Sequence, residues 1–199
     1  MKKILVAFAA ATLFSLAAEA APAIGDLAPD FTAKTASGKE VKLSQYRGKI
    51  IVLEWNNPKC PFVRKFYDSD TMQKLQAEAK QKRVVWLTVN SGAEGKQGYM
   101  EAEDAKEYLE DEKAAPSEYL LDSDGTIGHL YGAKTTPHMF VIASGGTLAY
   151  AGAIDDKAST DEDDIEGATN YVAAAIDALV AGKKVKVAST QAYGCPVKY

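Results

Sequence analysis

The chain of 199 residues contains two cysteines, Cys60 and Cys195. Cys60 precedes Pro61, and proline suits the first position of a helix. A helix start favours the thiolate, the reactive form of cysteine, because partial positive charge and backbone N–H groups meet the sulfur there. Three basic residues are close in sequence: Lys59, Arg64 and Lys65. We therefore predict that Cys60 is a redox-active thiol. The alternative is that Cys60 is unreactive and packs in the core as a small hydrophobic side chain.

The elements around Cys60 are predicted from periodicity. Residues 50–55 and 83–89 are apolar and rich in β-branched side chains, which is typical of strands buried on both faces. The pattern of residues 61–80 between them predicts a helix, so residues 50–89 are predicted to form a βαβ unit with parallel strands. Further along, the patterns predict helices at 102–113, 126–131 and 168–180, a strand at 119–121 and a hairpin of 139–142 with 147–150. The fold class is α/β.

Cys60 and the hairpin entrance together resemble the thioredoxin-like superfamily. Its redoxin branch, the AhpC/TSA-like (peroxiredoxin-like) proteins, is most similar, and residues 132–137, Gly-Ala-Lys-Thr-Thr-Pro, are the most specific segment. The resemblance covers about residues 24–182 and implies a thioredoxin-like fold, with a central mixed β-sheet flanked by helices. It predicts one domain at 21–182, followed by a C-terminal tail, residues 183–199, that carries Cys195 and lies over the domain.

The same resemblance implies roles for three residues near Cys60. Pro137 corresponds to the cis-proline that faces the reactive cysteine and leaves the neighbouring backbone free to pair with an extended substrate. Pro61, Thr136 and Pro137 are therefore predicted to line a substrate groove. A trans turn before the hairpin is the alternative for Pro137. His138 either points towards Cys60 or lies on the surface of the hairpin.

The chain departs from both redox motifs of the superfamily. Thioredoxins use Cys-x-x-Cys, and Val63 stands at the second cysteine position. Peroxiredoxins place a hydroxyl residue three positions before the reactive cysteine and a proline four before that, whereas the chain has Asn57 and Leu53 there. The resemblance therefore supports the fold more strongly than it supports peroxidase activity.

Cys195 is the second thiol that exchange chemistry requires when Val63 replaces the usual partner. It can resolve a mixed disulfide on Cys60, pair with Cys60 as a permanent staple, or cross-link two chains. A staple that closes a loop of roughly 135 residues is worth about 4 to 5 kcal/mol in the loop-entropy model. Stability alone could therefore account for such a bond.

Glu54 lies six residues before Cys60, inside the first buried strand. Thioredoxins carry at this place a buried acidic residue that exchanges protons with the cysteine pair. Burial raises the pKa of a carboxyl group towards that of a usable acid or base. Glu54 is therefore a candidate proton acceptor, and the alternative is a carboxylate that faces outwards or towards an edge.

The amino terminus indicates where the protein acts. Residues 1–20 have the basic head, apolar core and small-residue cleavage site of a secretory signal. We therefore expect a periplasmic or secreted protein in an oxidising compartment, without membrane contact once the signal is cleaved. A net charge of −4 gives nucleic-acid binding no electrostatic basis.

These observations lead to one functional hypothesis and one alternative. The first is a periplasmic thiol–disulfide oxidoreductase-like or peroxiredoxin-like protein that uses Cys60, Cys195 and Glu54 on a thiol or disulfide substrate, either a protein or a small molecule. The alternative is a non-catalytic binding protein with a structural Cys60–Cys195 disulfide. We expect no cofactor and no metal, because phosphate-loop and haem-attachment motifs are missing and only His129 and His138 could supplement the cysteines. The expected assembly is a monomer or a weak dimer.

Overall fold

The computed structural model describes residues 21–199, and the predicted signal sequence lies outside the described residues. The strands are β1 (Thr32–Thr35), β2 (Glu40–Lys42), β3 (Ile51–Trp55), β4 (Val85–Asn90), β5 (Glu118–Leu121), β6 (Thr135–Thr136), β7 (His138–Ile142), β8 (Leu148–Gly152) and β9 (Cys195–Pro196). The helices are α1 (Pro61–Asp68), α2 (Thr71–Gln81), α3 (Ala102–Asp111), α4 (Thr126–Tyr131) and α5 (Tyr171–Val180). Two short 3-10 turns, Leu43–Tyr46 and Glu162–Ile165, complete the described elements.

Seven strands form a mixed sheet in the order β2-β1-β5-β4-β3-β7-β8. Strands β3, β4 and β5 are parallel, and the outer strands run antiparallel to their neighbours. Helices cover both faces of this sheet, so the predicted α/β, thioredoxin-like fold is confirmed. A separate two-stranded sheet pairs β6 with β9, near the carboxyl terminus.

The alternation of side chains along β3 divides the core into two layers. Leu53 and Trp55 pack on the face that α4 and the 3-10 turn Leu43–Tyr46 cover. Val52 packs on the opposite face, under α1, α2, α3 and α5, and Glu54 points the same way. All five residues of β3 are buried, because successive strand residues point to opposite faces and both faces are covered.

The segment predicted as one helix over 61–80 is two helices, which corrects that expectation. α1 ends at Asp68, and Asp70 takes a left-handed backbone conformation before α2 begins. The Ser69 hydroxyl donates to the Lys65 carbonyl, which satisfies a backbone acceptor at the end of α1. Serine and aspartate hydrogen-bond to nearby backbone in this way and so favour helix ends.

The C-terminal tail is held against the sheet along its length. Ser189 bridges to Ala151 of the edge strand β8, and the Thr190 hydroxyl hydrogen-bonds to the Tyr150 hydroxyl at 2.7 Å. The chain then crosses to β6, where it forms β9. Within residues 21–199, no helix is long and apolar enough to cross a membrane.

Candidate active site

Cys60 is the N-cap residue of α1, one short loop beyond the carboxyl end of β3. Pro61 occupies the first helical position, as expected, and lies at the exposed surface. Its fixed φ suits a helix start, and its missing N–H costs nothing there. The Cys60 side chain itself is fully buried.

A disulfide joins Cys60 to Cys195, with the two Cα atoms 6.0 Å apart. The bond connects the start of α1 to the tail across 135 residues. Cys60 is buried, whereas Cys195 is only partly buried. Of the alternatives for Cys195, the described chain therefore contains the intramolecular pair. Its presence is compatible with a resolving role and with a staple.

The peptide bond between Thr136 and Pro137 is cis, as the resemblance implied. The Sγ atom of Cys60 lies 3.0 Å from the Thr136 carbonyl oxygen. While the sulfur is in the disulfide it carries no proton, so this is a close contact. In the reduced protein the thiol can donate to that oxygen. Thr136, Pro137 and the start of α1 thus surround one sulfur.

The backbone beside the cis-proline is occupied by the tail. Thr136 pairs with Cys195 and Thr135 with Pro196, in antiparallel register. The Val197 N–H continues the pairing with a bond to the Lys134 carbonyl at 3.1 Å. The backbone predicted to line a substrate groove is therefore a strand edge that pairs with an extended segment of the same chain. Substrate binding at this edge stays a prediction.

Two tyrosines anchor the tail on either side of Cys195. The Tyr193 ring packs edge-on against Phe62 at a centroid distance of 5.8 Å, and its hydroxyl donates to Asp155. The Tyr199 ring stacks on His129 at 4.0 Å, and its hydroxyl donates to the Ala133 carbonyl at 2.8 Å. The segment 193–199 therefore lies in a defined channel across Cys60.

Asp155 is itself held in place by a buried cation. Lys65 has a fully buried side chain, and its Nζ atom lies 4.0 Å from Asp155 Oδ2. The same ammonium group donates to the Lys157 carbonyl at 3.2 Å. A buried charge is tolerated only when it is paired and hydrogen-bonded, so this arrangement fixes the acceptor that meets Tyr193.

Two of the three basic residues near Cys60 are thus engaged elsewhere. Lys65 pairs with Asp155, and Arg64 pairs with Asp68 and Glu112. Neither cation is free to stabilise a Cys60 thiolate, which corrects the expectation drawn from their proximity in sequence. The start of α1 and the exposed Lys59 remain as the electrostatic reasons for an activated thiol.

Glu54 is fully buried and accepts hydrogen bonds from five side chains: Trp86, Tyr67, Thr88, Asn56 and Gln76. Burial raises the pKa of Glu54, while the bonds from Trp86, Tyr67 and Thr88 oppose that rise. The alternative of an outward or edge-facing carboxylate is wrong. Neither cysteine is among these partners, so its role as a proton acceptor stays a prediction.

His138 is buried, and it is not a surface residue of the hairpin. Its Nδ1 atom accepts a hydrogen bond from the Lys134 backbone N–H at 3.2 Å, and its ring packs against Phe140. Burial lowers the pKa of His138 to about 4, and the positive charge of Lys134 contributes in the same direction. The imidazole next to the cis-proline is therefore neutral at physiological pH.

Sequence analysis did not identify the residues that dock the tail. Lys65, Asp155 and Phe62 come from α1 and from the loop after β8, and only the fold brings them together. Asp122 is also buried; it accepts a hydrogen bond from Ser91 and bonds from two backbone N–H groups at the start of α4. The Tyr-Gly-Cys-Pro-Val-Lys-Tyr pattern at 193–199 was the available signal, since aromatic residues flank the cysteine.

The described residues contain no group of three or more histidine, cysteine or acidic side chains arranged to hold a metal ion. The central mixed sheet, the cysteine at a helix start and the facing cis-proline define a thioredoxin-like protein. The AhpC/TSA family model matches residues 24–151. The chain therefore belongs to the AhpC/TSA family.

Solved structures share the fold. An uncharacterised conserved protein from Geobacillus kaustophilus has a TM-score of 0.78 at 24% identity, over 89% of this chain and 92% of that chain. A hypothetical protein from Sinorhizobium meliloti 1021 has a TM-score of 0.75 at 22% identity, over 90% of this chain and 96% of that chain. A Chlorobium tepidum protein provisionally assigned as the thiol:disulfide interchange protein DsbE has a TM-score of 0.55 at 28% identity, over 66% of this chain and 85% of that chain. No curated protein matches the chain.

The burial of His138 predicts that acid destabilises the protein through this residue. The folded state binds the His138 proton less readily than the unfolded chain, because its pKa falls from 6.5 to about 4. The stabilising contribution is complete above the unfolded pKa and is lost as the pH falls through the folded one. We expect a loss of up to about 3 kcal/mol in unfolding free energy.

Urea unfolding at about pH 7 and about pH 4 measures this loss. His138→Asn keeps an acceptor for the Lys134 N–H but does not titrate, so it should lose less stability than the unsubstituted protein. His129→Asn, at the exposed surface, is the matched control and should keep the full loss. An equal pH dependence in all three proteins would contradict the prediction.

The helix-start position predicts a depressed pKa for Cys60 in the reduced protein. Iodoacetamide labelling of the Cys195→Ser variant against pH should give a midpoint below the ordinary cysteine value of about 8.5. Cys195 in the Cys60→Ser variant is the control, because it lies on a strand and should react with a midpoint near that value. A Cys60 midpoint at or above that of Cys195 would remove the argument for activation.

Proposed function

We propose that this protein is a periplasmic or secreted thiol–disulfide oxidoreductase, with Cys60 as nucleophile and Cys195 as resolving thiol. The observation that carries the proposal is the Cys60–Cys195 disulfide at the start of α1, beside the cis-Pro137 backbone. The secretory pattern of residues 1–20 supports the location, because disulfides persist in oxidising compartments. The substrate is a thiol or disulfide of a protein or of a small molecule.

The proposed cycle balances without a cofactor. The Cys60 thiolate attacks a substrate disulfide, forms a mixed disulfide and releases one substrate thiolate. The Cys195 thiolate then attacks Cys60 Sγ, restores the Cys60–Cys195 bond and releases the second substrate thiolate. Two substrate thiols are gained for each pair of protein thiols oxidised. The opposite direction oxidises a substrate dithiol by the same steps.

Two further groups serve this cycle in the proposal. The Thr136 hydroxyl is buried and, within the described residues, lacks a hydrogen-bond partner, so it is a donor available beside the reduced site. Glu54 is the proton acceptor of the proposal and faces the same side of the sheet as α1. Because it bonds to neither sulfur, a proton must reach it through an intervening group.

The alternative is a binding protein in which the disulfide acts as a staple. The two functions differ in how easily the bond is reduced. A structural disulfide of a secreted protein has a reduction potential below about −300 mV, whereas exchange proteins have higher values. A stabilised Cys60 thiolate favours the reduced form and therefore raises the potential.

We expect the Cys60–Cys195 couple to have a reduction potential above about −300 mV. Equilibration of the full chain in glutathione or dithiothreitol buffers, followed by trapping of free thiols and mass spectrometry, measures the value. Lys39→Ala, which removes an exposed positive charge from the turn between β1 and β2, is a control that should change the potential little. A value below that limit would show that the bond is a staple.

Peroxide reduction is the second candidate function, because the AhpC/TSA family is the one to which the chain belongs. Asn57 and Leu53 replace the hydroxyl residue and the proline of the peroxidatic motif. We therefore expect hydrogen peroxide to oxidise reduced Cys60 about as fast as an ordinary thiol of similar pKa. Stopped-flow oxidation that is orders of magnitude faster would instead establish a peroxidase.

A further inference from the structure

We propose that the channel filled by residues 193–199 is a peptide-binding site that selects a segment of another protein. The selected segment is extended and carries a cysteine, with glycine directly before that cysteine and a tyrosine or similar phenol two residues before it. This inference rests on the proposed exchange function and specifies its substrate. Its grounds are the contacts that the chain's own tail makes in the channel.

Access to Cys60 is the first step of the argument. The side chain is fully buried, and the segment that covers it is β9. A foreign disulfide can meet the Cys60 sulfur only after the tail has left. A substrate segment that brings a sulfur to Cys60 then contacts the same residues that the tail contacts in the oxidised protein.

The backbone of the channel accepts any extended segment. Thr135 and Thr136 pair with the tail through main-chain atoms, and the Lys134 carbonyl accepts from the Val197 N–H. Main-chain pairing at a sheet edge supplies affinity, while the side-chain pockets supply specificity. Selectivity must therefore come from the positions on either side of the cysteine.

The position before the cysteine admits only glycine in this conformation. Gly194 has a φ of 140°, which side chains rarely adopt. A Cβ atom at Gly194 would also collide with the Thr136 carbonyl oxygen. That oxygen cannot retreat easily, because it belongs to the backbone of a residue that pairs with Cys195, and it contacts Cys60 Sγ. A bulkier residue would push the segment off the edge.

The position two residues before the cysteine favours a phenol. The Tyr193 ring lies against Phe62, and its hydroxyl donates to Asp155, which Lys65 holds from the other side. Burial, and then the bond to Asp155, raise the pKa of Tyr193, so the phenol keeps its proton and remains a donor. A segment without this hydroxyl would leave Asp155 with one acceptor unfilled, which is costly in a buried site.

The channel also fits the last residue of the tail, Tyr199. Gly125 and Gly128 lie under the Tyr199 ring, and a Cβ atom at Gly128 would collide with the Tyr199 hydroxyl. The two glycines leave room for an aromatic ring four residues after the cysteine. The tail therefore acts as a ligand in cis, and its covalent connection gives it a high effective concentration in the channel.

A peptide competition experiment tests this selectivity in the full chain. The protein is the G194A/C195S variant, whose tail cannot dock as before and cannot form the disulfide. The probe is the nonapeptide of residues 191–199, with its cysteine joined to glutathione. The Cys60 thiolate attacks the peptide sulfur, forms the Cys60–peptide disulfide and releases glutathione thiolate. Mass spectrometry measures the equilibrium between this product and Cys60–glutathione.

Two altered peptides provide the comparison: one has alanine for the tyrosine at 193 and the other has alanine for the glycine at 194. We expect each to form the Cys60–peptide disulfide with an equilibrium constant at least about tenfold lower than that of the unaltered peptide. The C195S variant, whose tail can still dock, should capture less of every peptide but keep the same ranking. It also provides the ranking if G194A/C195S does not fold.

The outcomes separate this inference from the proposed function. Equal capture of the three peptides, together with ready exchange with glutathione, would overturn the selectivity and leave the oxidoreductase intact. Capture of neither peptide nor glutathione by folded protein would show that Cys60 does not exchange, and both proposals would fail. If the preference for tyrosine over alanine at 193 disappears on Asp155→Asn or Phe62→Ala substitution, the contacts of the Tyr193 ring and hydroxyl account for that preference.

Discussion

The antiparallel pairing of Thr136 with Cys195 is the interaction on which the site depends. It places on Cys60 a second sulfur that comes from the tail and not from the helix that begins at Cys60. In a Cys-x-x-Cys motif both sulfurs belong to one helical turn, and their separation is set by local geometry. Here Val63 points into the core, and the separation is set by how the tail docks. The pairing of the two cysteines is therefore a tertiary feature of this fold.

Buried polar groups hold the surroundings of this pairing in place. Glu54 ties β3 to α1 and α2 through Tyr67 and Gln76, and Asp122 ties the end of β5 to the start of α4. Asp155 connects the loop after β8 to α1 and to the tail. Each carboxyl group is nearly or fully buried and hydrogen-bonded. The hydrogen bonds are needed because burial of an unpaired polar or charged group costs free energy. Glu54 and Asp155 therefore both hold α1, the helix that begins at Cys60.

The order of the main elements was predictable because periodicity is local. The strands at 50–55 and 83–89, the turn of helix at 126–131 and the hairpin after Pro137 all agree with the structure to within a few residues. The break at Asp70 was missed because the apolar pattern continues across it, and only the left-handed residue reveals two helices. Strands β1 and β2 were missed because they are short and alternate weakly.

The site was only partly predictable, for a different physical reason. Cys60, Glu54 and Pro137 lie at fixed distances from recognisable elements, so sequence position was enough to single them out. The docking of the tail depends on Asp155, Lys65 and Phe62, which are unremarkable when read along the chain. Arg64 and Lys65 show the converse: their proximity to Cys60 in sequence suggested electrostatic activation, but their side chains pair with carboxylates that the fold brings to them.

In the proposed function the resolving cysteine lies on a docked tail, so disulfide formation and tail docking are coupled equilibria. The disulfide forms more readily when the tail is docked, because docking raises the effective concentration of Cys195 at Cys60. By thermodynamic reciprocity, the disulfide stabilises docking by the same free energy. A segment that competes for the channel therefore makes the bond easier to reduce, and reduction makes the channel easier to fill. In the proposed cycle, binding of a substrate and reduction of the disulfide thus favour each other, although the two cysteines are 135 residues apart in the sequence.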